Sequence, residues 1–236
     1  MGREKEIRLE AENVNLRHLL ARAGIDAAEH KIVEQLQRIL LEELHHRVKN
    51  TLATVQAITS QSLRTAQSME HAREAISNRL LALGRVHDLL LRTSWSSAKL
   101  AEMLDTAIAP FKTPGARQFL IQSTDIDVGS GAALPLAMIL NELCTNAVKY
   151  GALSSPKGRV SIITKVDESA RRFRLTWAET RGPAVQEPTR RSFGMRLIEQ
   201  SFVSQLQGTA KVKFVPTGAV CELDVPLAAL RPPNSS

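Results

Sequence analysis

Two groupings in this chain have residue types at spacings suited to chemistry. The first is Leu44-His45-His46-Arg47-Val48-Lys49-Asn50. A neutral imidazole is the side-chain nucleophile suited to in-line attack on phosphorus near neutral pH. Leu44 and Val48 fall on an apolar seam, so His46 points off that seam toward solvent. Glu42 and Glu43 share its side of the helix, placed to orient the ring or accept its second proton. Asn50, one turn later, is placed to position a water for the reverse hydrolysis.

The second is Asn141-Glu142-Leu143-Cys144-Thr145-Asn146-Ala147-Val148-Lys149-Tyr150-Gly151. Helical spacing puts Glu142, Asn146 and Lys149 or Tyr150 on one face, and Met138, Ile139, Leu143 and Ala147 on the other. The Asn146 amide oxygen suits Mg²⁺, a hard cation that keeps waters and bridges phosphates, and Glu142 suits a water in the metal's second shell. Lys149 can neutralise phosphate charge and Tyr150 can pack on a base. A third segment, Phe173-Arg174-Leu175-Thr176-Trp177-Ala178-Glu179, alternates so that Phe173, Leu175, Trp177 and Glu179 share one side. A carboxylate ending a buried apolar row can accept from an adenine amine, a discriminating contact because a buried polar group left unpaired is costly. Gly182 and Gly194 bracket a basic loop and let its backbone approach phosphates. Taken singly, these are surface histidines, a solvated helix face and a strand-end acid; in combination they point to phosphoryl transfer from a magnesium nucleotide.

The elements that position them follow from periodicity. Ile7, Val14, Leu16 and Leu20 fit a loose helical stripe, which Gly24 is expected to interrupt, with Asp26 capping the next helix. Val33, Leu36, Leu40, Leu44, Val48, Leu52, Val55 and Thr59 form one sustained seam, and Met69, Ala72, Ile76, Leu80, Leu83, Val86 and Leu90 a second, after a polar break at 64–68. Two such helices make an antiparallel hairpin whose seam is best buried by a second copy, so a homodimeric four-helix bundle is expected. Residues 92–97 read as a hinge. Beyond it a helix spans 100–109 and a short strand 117–122. A further helix, with Pro135 in its first turn, runs to Tyr150 and stops at Gly151. Strands follow at 159–166 and 172–179, then a loop, a helix from Gly194 to Gln207, and a closing hairpin of 210–215 and 219–225. This order argues for an α+β fold: an N-terminal helical hairpin in a dimeric bundle, then a two-layer α/β sandwich.

Composition limits the alternatives. The 236 residues, 43% hydrophobic, suffice for one cored domain and a smaller helical element. The first twenty residues mix charge with apolar residues instead of forming a secretory block, so a cytoplasmic protein without membrane insertion is expected. Cys144 and Cys221 fall in expected core elements and read as buried free thiols. The net charge of +7 raises nucleic acid as a partner, but the basic residues are scattered, and neither a base-reading helix nor regularly spaced stacking aromatics are present. No nucleic-acid partner is expected.

From about Leu41 to Leu227 the chain resembles the HWE group of bacterial sensor histidine kinases. The resemblance rests on Glu43-Leu44-His45-His46-Arg47-Val48-Lys49-Asn50-Thr51-Leu52, on Asn146-Ala147-Val148-Lys149-Tyr150-Gly151-Ala152-Leu153-Ser154 and on Trp177-Ala178-Glu179. It implies a dimerisation and phosphotransfer hairpin at 41–95 and a Bergerat-type ATP-binding domain at 96–230, with a helical or coiled-coil segment at 1–40 before them and a disordered tail at 231–236. By this similarity His46 is the phosphoacceptor, Asn146 the magnesium ligand and Glu142 its acidic companion. Glu179 holds adenine, Phe193-Gly194 belongs to the nucleotide lid, and Asn50 matches a position tied to phosphatase activity. With Glu43 beside the acceptor, and Lys149, Tyr150, Gly182, Arg191 and Gly218 around the nucleotide, these form the expected site. ATP and Mg²⁺ are the implied cofactors, and a response-regulator receiver domain is the implied partner. Some forty residues precede the hairpin, short for a globular sensor, so an upstream sensor or regulatory protein is expected to act on it.

The sequence departs from the family pattern at three places: Asn141 stands where the namesake histidine precedes Glu142, Arg181-Gly182 replaces a Gly-Gly pair, and Ser192 replaces a glycine before Phe193. These bear on nucleotide affinity more than on fold. They leave open a second reading, a catalytically weak dimeric adaptor or histidine phosphotransfer protein with a degenerate ATP site.

Overall fold

A computed structural model describes residues 2–66, 68–93, 96–184 and 206–232. The chain divides into two compact units, residues 1–57 and 58–236. Helix α1 (Gly2–Thr65) is continuous over 64 residues. Gly24 does not break it, so no new helix starts after Asp26. One interior glycine costs only about 1 kcal/mol relative to alanine, too little to stop a helix whose neighbours are mostly Ala, Leu, Glu, Arg and Gln. In the first unit Val33, Leu36, Leu44, Val48 and Leu52 are exposed, so the seam faces solvent.

The break falls where expected. The N-cap Ser68 accepts a hydrogen bond from the His71 backbone N–H at 3.1 Å and starts helix α2 (Met69–Arg92). Its Ala72, Ala82, Leu83, Val86, Leu89 and Leu90 are buried, and the last three join the core of the second unit. Strand β1 (Ser97–Lys99) pairs antiparallel with β3 (Asp127–Gly129), and between them lie helix α3 (Leu100–Ile108), a turn of 3₁₀ helix at Ala109–Phe111 and strand β2 (Phe119–Gln122). The small β1–β3 ribbon has no counterpart in the sequence reading, because three residues are too few to show a period.

Helix α4 (Ser130–Lys149) begins five residues before Pro135, which therefore lies in its second turn and not its first. A proline inside the helix forfeits one backbone hydrogen bond, which the burial of Leu136, Ile139, Leu140 and Leu143 on both sides of the next turns outweighs. The end agrees with expectation: the Tyr150 and Gly151 backbone N–H groups close on Asn146 and Ala147 carbonyls at 2.8 and 3.1 Å. This helix is long and apolar enough to cross a membrane, but 72% of that stretch is buried inside the fold, as befits a core helix.

Strands β4 (Arg159–Asp167), β5 (Arg172–Thr180), β6 (Thr209–Val215) and β7 (Gly218–Pro226) complete a five-stranded sheet with β2, in the order β2-β4-β5-β7-β6. All neighbours are antiparallel except β2 and β4. Alternation along β5 sends Phe173, Leu175 and Trp177 into the core against α4, with Trp177 flanked by Ile162 and Cys221 on the adjoining strands. The other face is charged: Asp224 accepts from Arg172 at 2.6 Å and from Arg174 at 3.2 Å, so part of the basic excess is locally paired. The α+β reading, helices on one face of a mostly antiparallel sheet, is the observed fold. Of the expected helix Gly194–Gln207 only Leu206 and Gln207 lie among the described residues.

A short helix α5 (Leu227–Leu230) follows β7. The tail, expected to be disordered from Arg231, is anchored at its first two residues. Arg231 pairs with Glu168 at 2.6 Å, and Gly129 comes so close to Arg231 and Pro232 that a Cβ there would lie 3.0–3.1 Å from their backbone. Residues 233–236 lie outside the described residues.

Candidate functional site

In the first unit His46 is exposed on α1, and so are His45 and the flanking Leu44 and Val48. Asn50 is exposed and its carbonyl accepts from the Thr54 hydroxyl at 3.0 Å. The Glu43 side chain is not among those described.

The second unit holds the rest. Glu179 ends the buried row of β5 and is only 3% exposed. Its two oxygens have separate donors: the Ala152 backbone N–H gives to Oε2 at 2.7 Å and the Trp177 indole N–H to Oε1 at 3.1 Å. Burial raises the Glu179 carboxyl above the ordinary glutamate value, and these two donors pull it part of the way back. The carboxylate is therefore held in a fixed orientation beside the C-terminal end of α4, with oxygen lone pairs left over for a ligand's N–H.

Close approach shapes this corner. A Cβ on Gly151 would lie 2.0 Å from Glu179 Oε2, one on Gly182 2.6 Å from the Ala152 Cα, and one on Gly218 2.4 Å from the Glu179 carbonyl oxygen. Gly182 and Gly218 use their missing side chains to let protein backbones meet around Glu179. Gly218 also has φ +148. Arg181, where the family pattern has glycine, sits at φ 60, in the left-handed region that a side chain disfavours. Arg181→Gly is expected to stabilise the fold by about 1 kcal/mol, read as a higher urea midpoint at unchanged slope.

The N-terminal part of the predicted nucleotide face on α4 differs from expectation. Glu142 does not lie on a solvated face. It is buried and accepts a two-pronged bond from Arg79 of α2, Nε to Oε1 at 2.6 Å and Nη2 to Oε2 at 3.0 Å. The remaining arm of Arg79 gives to the Ser62 hydroxyl at 2.6 Å, and the two charged side chains are 10% and 6% exposed. The reason is electrostatic: a carboxylate brought under a packed helix needs a hydrogen-bonding counter-charge, and removing either partner of such a pair costs about 3–5 kcal/mol. Lys149 pairs with Glu74 of α2 at 3.7 Å. Asn146 remains part-exposed between these two, and Tyr150, 68% exposed, stands at the helix end. Arg191, Phe193 and Gly194 lie outside the described residues.

Sequence reasoning missed Ser62, Glu74, Arg79 and Ala152. Only Arg79 left a trace, as a charged residue three positions after Ile76 on the apolar stripe of α2. Beside the Arg79–Glu142 pair lies a cavity of about 270 Å³ lined in part by Asn78, Arg85, Asn141, Thr145 and Lys149. A larger one, about 780 Å³, opens at the β2–β4 edge around Lys112, Phe119, Leu120 and Arg159 and includes none of the expected site residues. Cys144 and Cys221 are buried free thiols as expected. Burial, reinforced by the Glu179 charge, pushes Cys144 far up, and burial with Glu222 pushes Cys221 up to about 12. Among the described residues no cluster of His, Cys, Asp and Glu forms a metal centre.

Residues 43–125 match the HWE histidine kinase family. A blue-light-activated histidine kinase of Brucella anthropi is 38% identical over 207 residues, covering 87% of this chain and 42% of that protein. The protein of the same name from Brucella ovis is 36% identical over 204 residues, 86% of this chain and 42% of its own length. The chain thus spans less than half of these relatives. Among solved structures, the blue-light activated histidine kinase of Erythrobacter litoralis superposes with TM-score 0.58 at 22% identity, over 80% of this chain and 59% of that one. Its isolated histidine kinase domain gives 0.54 at 20%, over 75% and 83%; both share the fold. Residues 43–125 thus carry an HWE histidine kinase domain, and over most of its length the chain is similar to blue-light-activated histidine kinases.

Proposed function

We propose that the chain is an ATP-dependent protein histidine kinase of a two-component system, in which His46 takes the γ-phosphoryl group of ATP and passes it to an aspartate on a response-regulator receiver domain. The observation that carries this reading is the buried Glu179, its two oxygens fixed by Ala152 and Trp177 next to the α4 end that bears Asn146. The proposed reaction forms a bond from a His46 ring nitrogen to the γ-phosphorus as the bond from that phosphorus to the β,γ-bridging oxygen breaks. ADP leaves and the ring loses a proton. Positioning and charge neutralisation carry most of such a transfer.

Glu179 accepts from the adenine amine, Lys149 meets phosphate charge, and Tyr150 packs on the base. Part-exposed Asn146, with its hard amide oxygen, fits Mg²⁺. Glu142 does not fit in the described arrangement, since Arg79 engages both its oxygens. When bound, the metal neutralises phosphate charge. Glu43 orients His46, Asn50 positions water for hydrolysis, and Arg191, Phe193, Gly182, Gly194 and Gly218 belong to the nucleotide surround. The working division is 1–40, 41–95, 96–230 and 231–236.

The exposed seam of α1 supports homodimerisation through the hairpin, because a chain of exposed leucines and valines at helical spacing is most simply covered by its own copy. A cytoplasmic location, the receiver domain and an upstream regulatory protein complete the proposal.

The adaptor reading has two observations in its favour: the engagement of Glu142 by Arg79 and the left-handed Arg181. Incubation with γ-labelled ATP and Mg²⁺ separates the two. The kinase acquires label that acid removes and base preserves; the adaptor acquires it only from a phosphorylated donor protein.

A further inference from the structure

Helix α2 meets the nucleotide face of α4 with charges of matched opposite sign. Glu74 faces Lys149 at 3.7 Å and Arg79 faces Glu142 at 2.6 Å, so rising numbers on α2 meet falling numbers on α4. Asn146 lies between the two α4 partners. The contact is imperfectly filled: the cavity of about 270 Å³ runs along it, lined in part by Asn78, Arg85, Asn141 and Thr145 and in part by apolar Leu81 and Val148. Among the described residues the Arg85 Nε is a buried donor with no hydrogen-bond partner. Further along α2, Val86, Leu89 and Leu90 are packed into the core of the unit. The helix thus has an apolar C-terminal end in the core and an N-terminal half that, apart from buried Ala72, meets α4 through charged pairs beside a cavity.

Given the nucleotide role proposed above for α4, we propose that α2 is a latch: Arg79 and Glu74 compete with a magnesium nucleotide for Glu142 and Lys149, and tight binding requires the N-terminal half of α2 to lift from α4 about its Val86–Leu90 end. A ligand shifts such an equilibrium only by its preference for one state. Here the preference is explicit. The latched state commits both oxygens of Glu142 to a guanidinium; the released state returns this carboxylate to the metal's water shell and Lys149 to the phosphates. Whatever pulls on α2 would thereby set nucleotide affinity without touching the nucleotide.

The test titrates the full chain with a non-hydrolysable Mg-ATP analogue, comparing wild type, Glu74→Gln, Arg79→Gln and Glu179→Gln. A latch closed nine-tenths of the time weakens apparent affinity about tenfold, so Arg79→Gln is expected to bind about tenfold tighter and Glu74→Gln, at an exposed pair, about twofold tighter. Glu179→Gln is the control for the nucleotide site itself. If it weakens binding while folded Arg79→Gln binds no tighter than wild type, the latch is wrong and the kinase reading stands. If no variant binds the analogue, or the Glu179 change has no effect, both fall. Should Arg79→Gln not fold, hydrogen exchange on the wild type decides: the analogue is expected to deprotect residues 72–83 of α2 while protecting the end of α4, and unchanged or increased protection of α2 overturns the latch.

Discussion

Replacing His46 by alanine is expected to remove the acid-labile phosphoryl label completely while leaving the unfolding of the chain within about 0.5 kcal/mol of wild type, as for an exposed substitution outside any cap or core contact. The expectation is sharp because His45 is exposed as well. Exposure does not choose between the two rings; their relation to Leu44 and Val48 does. His45→Ala is therefore expected to keep the label. Label that survives His46→Ala would place the acceptor elsewhere, and ATP consumption undiminished in that variant would mark the site as an ATPase. Thermal unfolding of both variants separates these outcomes from simple misfolding.

Glu179→Gln carries the second large effect. The amide keeps one acceptor oxygen, but its NH₂ faces either the Ala152 N–H or the Trp177 indole N–H, donor against donor. The proposed charge-assisted contact to the base is lost at the same time. Bonds of this kind contribute about 1.5–3 kcal/mol, so ATP affinity is expected to fall by about 10- to 100-fold, with preference for adenine over guanine reduced. The pH dependence has a definite sign. Burial raises the Glu179 carboxyl, so just above the ordinary glutamate value the folded chain holds a proton that the unfolded chain has released. The stability that proton contributes is complete below the ordinary value and is lost as pH rises through the raised one. The unfolding free energy of wild type minus that of Glu179→Gln is expected to fall with rising pH across this window and then level off. Nucleotide affinity runs the other way, weakening as pH falls through the raised value, and the glutamine variant lacks this dependence. Urea titrations and nucleotide binding over a pH series measure both.

Much of this architecture was legible in the residue order. The period of two along Phe173, Leu175, Trp177 and Glu179 places a carboxylate at the end of a buried row, and the structure has it there. The seam that leaves His46 outward is equally plain, because helical spacing depends only on local sequence. What local sequence misjudged was strength of context. Gly24 and Pro135 are breakers by propensity, yet each penalty is small against a long helix or a buried flank. Glu142 shares a helical face with Asn146 in any reading, but whether that face meets water or another helix depends on Arg79, 63 residues away in the chain. No spacing rule reaches that far. Ala152 was invisible for a related reason: its contribution is a backbone N–H, and a main-chain donor leaves no mark on residue identity.

The corner around Ala152 inverts the usual geography of mutational tolerance. Gly158 and Gly182 crowd its peptide, with a hypothetical methyl at Gly158 falling 1.7 Å from the Ala152 carbonyl oxygen. Gly158 and Gly182 flank strands β4 and β5, in connecting segments where proteins ordinarily accept almost any residue. Here even a methyl group would push Ala152 aside and swing its N–H off the Glu179 carboxylate. The chain is thus least forgiving in loops that look expendable, and drift at either position would displace the Ala152 donor that orients Glu179.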